Sequence, residues 1–410
     1  MQLTVALLLL PLTTMARLPN ILILVVDDLG VGDVGVFGNS TLATPSFDSV
    51  CEAGARLSHH TAPATLCTPS RAGLLTGRYA VRAGLTSTPA SAPVLIYAAG
   101  RAGLPAGVET VGSLAARAGY NTAMVGKWHL GLNARSWGDM QHGPLGHGFQ
   151  YFYGLPHTLV DGWEKTEEHF FTLQQCFTGL ELPILLACLI PARTVLGRKT
   201  FFSLVVLVSL VGWFLLEHFT LTRDKWWQHS DYMEVQLNSF LMENSTVVEK
   251  PVQLATLSAG LVNKSVQFIR RSVGSDKPFL LYHAFPHVHT PLVVGAGRTG
   301  RSGHGSYGDA VQEMDEGVGQ LLAALHHIGA TRDTLVYLTS DHGGDQPQLG
   351  QRGGWNGPHR GGKGNGALEG GIRVPACLAW PGGGVEAGTE VAAPTSLLVT
   401  MHNYIFSFIS

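Results

Sequence analysis

The sequence predicts an α/β protein whose mixed, mostly parallel β-sheet is covered by helices on both faces. Four continuous apolar runs have the length and composition of strands that are buried on both sides: 21–26, 121–126, 278–285 and 334–340. Helical patterns lie between these runs, at 109–120 and at 306–328, where apolar residues share one helical face. Strands that alternate with helices are typical of a largely parallel sheet.

The composition indicates a folded protein with no signature of polyanion binding. The chain has 410 residues, of which 45% are hydrophobic, so it can bury a substantial core. Its formal net charge is −2, and its basic residues are scattered along the chain. No nucleic-acid partner is therefore expected.

Two kinds of sequence feature predict a secretory route. Residues 1–16 have the apolar core of a signal peptide and are excluded from the fold. Glycosylation sequons begin at Asn39, Asn244 and Asn263. Together they predict a protein of the endoplasmic reticulum or Golgi lumen.

A mid-chain segment, 173–222, is predicted to form a transmembrane helical hairpin that associates the protein with the membrane. Its second arm, 201–216, has no charged residue over a length close to the roughly 20 residues that span a bilayer. The first arm, 177–195, is weaker, and Arg198 and Lys199 lie between the arms, which places the tip on the cytoplasmic side. A buried core hairpin and a segment lying on the membrane surface are the alternatives.

The five cysteines do not imply a disulfide framework. Cys176 and Cys188 fall in or next to the apolar hairpin segment. That leaves Cys51, Cys67 and Cys377 as candidate luminal thiols.

Polar residues follow each predicted strand, at the edge where open α/β sheets bind ligands. An Asp in such a position is commonly a turn or helix cap, and a lone His or Lys is commonly a surface residue. Their joint occurrence at several strand ends favours a functional site. The residues are Asp27 and Asp28 after the first strand, Lys127 and His129 after the second, His287 and His289 after the third, and Asp341 and His342 after the fourth.

The carboxylates among these residues predict a site for a hard divalent cation. Asp27, Asp28 and Asp341 offer oxygen ligands of the kind that calcium or magnesium prefers. His342 is either a less usual ligand or a residue that lines the site. No zinc-type Cys/His spacing is present in the sequence.

Cys67 is predicted to begin a helix that ends near Gly77, with Thr68 or Ser70 as its cap and Pro69 in its first turn. A helix N-terminus presents unpaired N–H groups and a partial positive charge, which suits an anion.

Three basic residues add to that positive charge: Arg71, Lys127 and Lys363. The predicted ligand is a tetrahedral oxyanion such as sulfate or phosphate. A cation and fixed positive groups would stabilise charge that develops on a transferring group.

The same residues resemble the signatures of the sulfatase family. Its first signature, C-x-P-S-R-A-x-L-L-T-G-R, is matched by 67–78, and its second, G-Y-x-T-x-x-x-G-K-W-H-L-G, by 119–131. The resemblance covers residues 18–398. Further matches look like the subgroup that contains steroid sulfatase and arylsulfatases D, E, F and H; they are Gly148–Gly154, His287–Pro291, Gly353–Gly357, Gly361–Lys363 and the mid-chain hairpin.

The resemblance implies a sulfuric ester hydrolase that acts on aryl or steroid sulfate esters. In sulfatases an enzyme that reads the C-x-P-x-R core oxidises the signature cysteine in the endoplasmic reticulum. The resemblance thus implies that the formylglycine-generating enzyme converts Cys67 to Cα-formylglycine. One hydroxyl of the hydrated aldehyde then attacks sulfur and expels the alcohol or phenol, and the loss of a proton from the second hydroxyl releases sulfate.

The resemblance also implies a role for each site residue. His129 acts near the diol and His287 near the leaving group; Lys127, His287 and Lys363 bind the sulfate; Arg71 orients the diol; and Asp27, Asp28, Asp341, His342 and residue 67 bind calcium.

The resemblance further implies a domain organisation, with some departures. Residues 17–172 and 223–398 correspond to two parts of an alkaline-phosphatase-like catalytic domain, separated by the hairpin. The family continues into a smaller C-terminal subdomain that is largely missing here, because 399–410 does not resemble it and looks like a truncation or an alternative end. The loop after Leu132 lacks cysteines that are usual in the subgroup, and 358–360 replaces an aromatic-and-lysine pattern.

Two other interpretations remain open at this point. A related phosphatase or phosphodiesterase would use an unmodified Ser or Thr nucleophile and usually zinc. A catalytically impaired, truncated membrane-bound isoform would keep the sulfatase signatures without turnover, since the loss of a packed subdomain exposes apolar surface.

Overall fold

The computed structural model of the protein describes residues 18–86, 102–135, 139–159, 240–275, 277–346 and 353–400. The predicted signal peptide (1–16) and the predicted hairpin (173–222) lie outside the described residues, as does nearly all of the tail (399–410). Within the described ranges, every helix falls short of the combined length and hydrophobicity that a bilayer-spanning segment requires.

A ten-stranded mixed sheet forms the centre of the fold, and a separate two-stranded pair accompanies it. The strands are β1 (Asn20–Val26), β2 (Ala55–Leu57), β3 (His60–Thr61), β4 (Asn121–Lys127), β5 (Tyr151–Leu155), β6 (Leu241–Glu243), β7 (Thr246–Glu249), β8 (Phe279–Ala284), β9 (Thr334–Ser340), β10 (Ala376–Ala379), β11 (Thr389–Val391) and β12 (Thr395–Ser396). The order in the large sheet is β11-β2-β10-β9-β1-β8-β4-β5-β6-β7, and β12 pairs with β3.

The five central strands, β9, β1, β8, β4 and β5, all run parallel to their neighbours. Four of them are the strands that the apolar runs predict, so the predicted mostly parallel sheet is confirmed. Antiparallel pairs flank these strands: β10 pairs with β9 and β2 on one side, and β6 pairs with β5 and β7 on the other. The outermost strand beyond β2, β11, is parallel to it.

The central strands are continuously apolar because both of their faces are buried. In β1, Leu22 and Leu24 point into one hydrophobic core, whereas Ile21 and Ile23 point into the other. A strand that alternated apolar and polar residues would bury polar groups on one of these faces.

Helices cover both faces of the sheet. They are α1 (Pro45–Glu52), α2 (Cys67–Thr76), α3 (Val111–Arg117), α4 (Leu254–Val273), α5 (Gly305–His327), α6 (Glu369–Ile372) and α7 (Leu397–Thr400). Residues of α1, α4 and α5 belong to the first core, and residues of α2 and α3 belong to the second. The predicted helices at 109–120 and 306–328 are confirmed as α3 and α5. Helix α3 begins two residues later and ends three residues earlier than predicted.

One prediction about the cysteines is wrong. Cys51 in α1 and Cys377 in β10 are not free thiols but form a disulfide, with their Cα atoms 4.8 Å apart. The bond joins positions 326 residues apart in the chain, so spacing alone gave no sign of it. Among the described cysteines, only Cys67 is free, and it is buried.

Candidate active site

The predicted polar residues meet at the carboxyl edge of the central strands. Asp27 and Asp28 follow β1, Lys127 ends β4, and Asp341 follows β9. All four side chains are at most 3% exposed. Parallel strands bring these positions together because their carboxyl ends share one edge of the sheet.

Cys67 lies at the first position of α2, in the middle of this group. Its Sγ donates to Asp27 Oδ1 at 3.5 Å, and it lies 3.4 Å from Lys127 Nζ and 3.4 Å from His342 Nε2. The thiol is 2% exposed. A nucleophile at this position faces a carboxylate, an ammonium group and an imidazole at once.

The cap predicted for α2 is wrong. The helix begins at Cys67 itself, and its N-cap residue, Leu66, makes no side-chain cap hydrogen bond. The hydroxyl of Thr68 donates instead to the carbonyl of His129 at 3.1 Å, and that of Ser70 donates to the carbonyl of Asp341. These hydroxyls therefore tie the start of α2 to the loops after β4 and β9, which leaves its first N–H groups without a side-chain cap.

Arg71 connects the same helix to the carboxylates. Its Nε donates to Asp341 Oδ2 at 3.0 Å, a second guanidinium nitrogen lies 3.3 Å from Asp27 Oδ1, and a third donates to the carbonyl of Lys127 at 2.9 Å. Lys127 Nζ pairs with the other oxygen of Asp27. Asp27 is thus held between two cations in an interior without water access.

The carboxylate of Asp28 is paired with a different lysine. Lys363 Nζ donates to Asp28 Oδ2 at 2.5 Å, although Lys363 lies more than 330 residues away in the chain. The other oxygen, Oδ1, lies 3.2 Å from His342 Nε2 but has no hydrogen-bond partner within the described part of the chain. A buried carboxylate oxygen without a hydrogen bond is costly unless a charge faces it.

The charges of these groups set the protonation of the carboxylates. Burial alone would raise the pKa of Asp27, but Lys127 and Arg71 outweigh it and hold that pKa well below its ordinary value. Burial also opposes ionisation of Asp28, and Lys363 lowers its pKa in the same way. For Asp341, burial dominates and the pKa is raised.

Two histidines of the site, His129 and His342, have opposite electrostatic surroundings. Burial alone would lower the pKa of His342, but Asp341, Cys67 and Asp28 raise it to about 10. For His129, burial is reinforced by Lys127 and Arg71, so its pKa falls well below the ordinary value. His129 is therefore neutral. His342 is surrounded by an excess of negative charge, which is the environment that a cation site provides.

A cation fits the donor set of the site. One ligand atom from each of Asp27, Asp28, Cys67 and His342 lies within 4.8 Å of the others, and all four residues are buried. The unpartnered Oδ1 of Asp28 is one of the oxygens available to it. Of the predicted ligands, Asp341 lies outside this group of four, because its Oδ2 is committed to Arg71.

Backbone strain is concentrated at two of these residues. Asp28 and His129 adopt φ values of 61° and 56°, in the left-handed region that residues with a side chain rarely occupy. Each such residue costs roughly 1–2 kcal/mol. The surrounding hydrogen bonds and ion pairs hold both residues in this conformation, as is common at functional sites.

Sequence reasoning missed a carboxylate beside His287. His287 follows β8 and is 8% exposed, and its Nε2 lies 3.5 Å from Oε2 of Glu313, a buried residue of α5. Helical periodicity predicts α5, but a single acidic residue on its buried face has no distinguishing sequence signal. His289, two residues further on, is half-buried, and burial together with Lys363 lowers its pKa to about 4.

A second missed residue supports the loops around the site. Asp33 is buried and accepts hydrogen bonds from the backbone N–H of Gly30 (2.9 Å), the backbone N–H of Trp355 (3.1 Å) and the hydroxyl of Tyr307 (2.6 Å). It thereby fastens the loop that follows Asp28 to the loop that leads to Lys363.

The three sequon asparagines have different environments. Asn39 is half-buried, and its Nδ2 donates to the carbonyl of Gly32 at 2.9 Å. Asn244 lies in the turn between β6 and β7, and its Oδ1 accepts from the N–H of Phe152 at 3.0 Å. Asn263 is exposed on α4.

Several known proteins with similar sequences are sulfatases. The sulfatase family profile matches residues 19–410. Arylsulfatase D of Homo sapiens is 40% identical over 393 residues, which cover 95% of this chain and 65% of that protein. Steryl-sulfatase of Homo sapiens is 39% identical over 395 residues, covering 93% of this chain and 64% of that protein.

The fold is likewise that of solved sulfatase structures. The PsFucS1 sulfatase from Pseudoalteromonas sp. superposes with a TM-score of 0.66 at 27% sequence identity, covering 95% of this chain and 69% of that one. The architecture is thus the alkaline-phosphatase-like α/β fold. The chain spans about two thirds of the length of the curated relatives that it matches. The profile match and these identities place the chain in the sulfatase family.

Proposed function

We propose that the protein hydrolyses aryl or steroid sulfate esters, with a formylglycine made from Cys67 as nucleophile and calcium as its cation. The observation that carries this proposal is the buried thiol at the start of α2, within 3.5 Å of Asp27, Lys127 and His342. The two kinds of substrate correspond to the names of two relatives, arylsulfatase D and steryl-sulfatase.

Two groups that the chain acquires would supply part of the chemistry. The hydrated aldehyde at position 67 supplies a hydroxyl nucleophile for sulfur and a second hydroxyl whose deprotonation releases the sulfate. Calcium would be held by Asp27, Asp28 and His342 together with the group at 67, with Asp341 adjacent, and would stabilise the negative charge of the sulfuryl oxygens.

The cations of the site bind the sulfate. Lys127 is paired with Asp27 and Lys363 with Asp28. Their ammonium groups are therefore held beside the proposed cation ligands, where they can contact sulfuryl oxygens. Arg71 is fully buried and bonded on three sides, which suits it to orient the nucleophile rather than to follow the substrate.

Two histidines carry the protons. His129 is neutral, because burial and the neighbouring cations lower its pKa, so it can accept a proton from the diol. His287, beside Glu313, would act near the leaving oxygen and contact the sulfate.

Maturation must precede folding in this proposal. Cys67 is 2% exposed and Arg71 is not exposed at all, so the C-x-P-x-R core is inaccessible in the folded protein. The formylglycine-generating enzyme would therefore act on the unfolded chain in the endoplasmic reticulum. The disulfide between Cys51 and Cys377 fits an oxidising lumen, as do the sequons at Asn39, Asn244 and Asn263.

Membrane association through 173–222 is part of the same proposal. Its support is the uncharged run in the sequence, since the segment lies outside the described residues. Detergent dependence of extraction from microsomes tests it, and release of the full chain by alkaline carbonate would contradict it.

The proposed activity is tested by expressing the full chain in secretory cells and assaying an aryl sulfate against the matching aryl phosphate. We expect hydrolysis of the sulfate by the wild type and none by Cys67→Ala. Preferential hydrolysis of the phosphate, or equal activity of the Cys67→Ala variant, would contradict the proposal. An aldehyde-bearing but inactive protein would identify the impaired isoform instead.

A further inference from the structure

Glu313 lies next to the proposed active site but belongs to neither of the matched sulfatase signatures. It is 5% exposed, among the buried residues of α5. Its Oε2 lies 3.5 Å from Nε2 of His287. A carboxylate buried beside an imidazole is a common means of fixing a histidine for proton transfer.

The backbone of His287 is fixed first. Its carbonyl accepts from the N–H of Asp27 at 2.7 Å, and the N–H of Val288 donates to the carbonyl of Asp27 at 2.6 Å. These two bonds attach the segment after β8 to the end of β1, so the position of the His287 Cα relative to the cation site is set. The orientation of its ring depends on side-chain partners.

The carboxylate of Glu313 is fixed as well. The backbone N–H of Gly295 donates to both of its oxygens, at 3.1 and 3.3 Å, and Arg298 Nε lies 3.8 Å from Oε1. Gly295 permits this approach, because a Cβ at that position would lie 2.8 Å from the Arg298 guanidinium and 3.1 Å from Glu313. Burial raises the pKa of Glu313, but His287, the Gly295 N–H and Arg298 together lower it, so the group is ionised.

An ionised carboxylate at this place determines which ring nitrogen of His287 is available. Nε2 faces Glu313 and carries the proton that the carboxylate attracts. Nδ1 is buried and has no hydrogen-bond partner among the described residues. The ring therefore has one nitrogen committed to the protein and one left for a reacting group.

We infer that Glu313 is a positioning residue, which holds the imidazole of His287 in the orientation that delivers a proton to the leaving oxygen of the ester. This inference rests on the proposed sulfatase activity. The alternative is that Glu313 only fastens the Gly295–Arg298 loop to α5. Only a positioning role makes the loss of kcat on substitution of Glu313 depend on the leaving group of the ester.

The test measures kcat and KM of the full chain on phenyl sulfate, which has a poor leaving group, and on 4-nitrophenyl sulfate, which has a good one. For Glu313→Ala we expect kcat on phenyl sulfate to fall about 100-fold, with a loss of less than about fivefold on 4-nitrophenyl sulfate and little change in KM. Glu313→Gln, which keeps an oxygen acceptor of similar volume, should recover part of the loss.

Glu316→Ala is the matched control. Glu316 lies one turn further along α5 and pairs with the same Arg298, at 2.8 Å. It is exposed, and it makes no ion pair with His287 in the described part of the chain. We expect both substrates to be turned over as by the wild type. In the double variant His287→Ala/Glu313→Ala, phenyl sulfate turnover should fall no further than in His287→Ala alone, because residues that act as one unit are not additive.

Each outcome decides the question. Losses that are equal on both substrates, or an unchanged kcat in Glu313→Ala, would overturn the positioning role while the sulfatase activity stands. If Glu313→Ala fails to fold, Glu313→Gln provides the same comparison at nearly unchanged volume. A wild-type protein that bears the aldehyde and hydrolyses neither ester would overturn the proposed function, and this role with it.

Discussion

Lys127 is a single residue on which much of the proposed site depends, because it contacts both Cys67, the proposed nucleophile position, and Asp27, a proposed cation ligand. Its ammonium group pairs with Asp27 and lies 3.4 Å from Cys67 Sγ, at 1% exposure. In such an interior, fixed charges interact more strongly than they do in water, and no solvent replaces one that is removed.

We therefore expect Lys127→Ala to lower the turnover of an aryl sulfate by at least about 100-fold. Lys264→Ala is the control, since Lys264 pairs with Glu243 at 28% side-chain exposure and should change turnover by less than about twofold. Steady-state kinetics of both variants, with circular dichroism to verify folding, provides the measurement. Wild-type turnover in Lys127→Ala would show that this ammonium group does not contact the sulfate.

Asp341 gives a second prediction at this scale. Its Oδ2 pairs with Arg71, and its Oδ1 lies 3.6 Å from His342 Nε2. Asp341 therefore lies beside the four candidate cation ligands but is not one of them. Asp341→Asn should raise the calcium concentration needed for half-maximal activity by about 10–100-fold. Calcium readdition after chelation, followed by activity and by thermal shift, measures this; an unchanged requirement would remove Asp341 from the cation site.

Much of the residue set was predictable because the rule that places ligands at the carboxyl ends of parallel strands is topological. It selects Asp27, Lys127 and Asp341 without knowledge of any contact. Glu313 was not predictable in this way, because it reaches the site from the middle of a helix. Only the tertiary packing of α5 brings it within 3.5 Å of His287.

At the scale of elements, the loops around the site depend on Asp33. It accepts from two backbone N–H groups and from Tyr307, and so joins the loop after β1 to the segment at Trp355. Asp33→Asn should lower the free energy of unfolding by about 1–3 kcal/mol near pH 5, because an amide N–H₂ replaces one of the accepting oxygens. Tyr307→Phe should cost less, since it removes only the hydroxyl donor.

The difference between wild type and Asp33→Asn should also depend on pH. Burial raises the pKa of Asp33 to about 7. A carboxyl whose pKa is higher in the folded than in the unfolded state stabilises the fold at low pH and loses that contribution as pH rises through about 7. Urea unfolding at pH 5 and pH 8 should therefore give a smaller difference at pH 8. A difference that grows with pH would contradict the raised pKa.

The elements themselves were predictable where one physical requirement dominates. Burial on both faces makes β1 and β9 continuously apolar, and the predicted run at 334–340 coincides with β9. The cap of α2 could not be predicted in the same way, because the hydroxyls of Thr68 and Ser70 can bond either to the backbone of their own helix or to carbonyls distant in the sequence. Tertiary contacts with Asp341 and His129 decided it.

At the scale of the whole molecule, the disulfide between Cys51 and Cys377 connects α1 to β10, an antiparallel strand that lies two positions in from the edge of the sheet. It closes a loop across most of the chain, a separation of 326 residues. Cross-links that close long loops restrict the unfolded state most strongly.

We expect the Cys51→Ala/Cys377→Ala double variant to lose about 2–5 kcal/mol of unfolding free energy. Thermal melting of the wild type with and without reductant should reproduce the loss, whereas the double variant should melt at the same temperature under both conditions. Reductant-independent melting of the wild type would mean that the bond is not formed.

The global fold followed from the sequence for its central part and not for its edges. The four predicted strands are buried on both faces and are mostly apolar, whereas β2 and β11, near one edge of the sheet, are only three residues long and have no comparable pattern. The partnership of Cys51 with Cys377 depends on how those edges are ordered, so it became visible only in the folded structure.

The most direct test of the whole account is the mass of the tryptic peptide that carries position 67, from protein made in cells with an active secretory pathway. We predict a peptide that has exchanged its thiol for an aldehyde, with a hydrolytic rate on aryl sulfate that rises in proportion to the aldehyde fraction. A peptide that retains an unmodified thiol, in a protein that still hydrolyses the ester, would contradict the account.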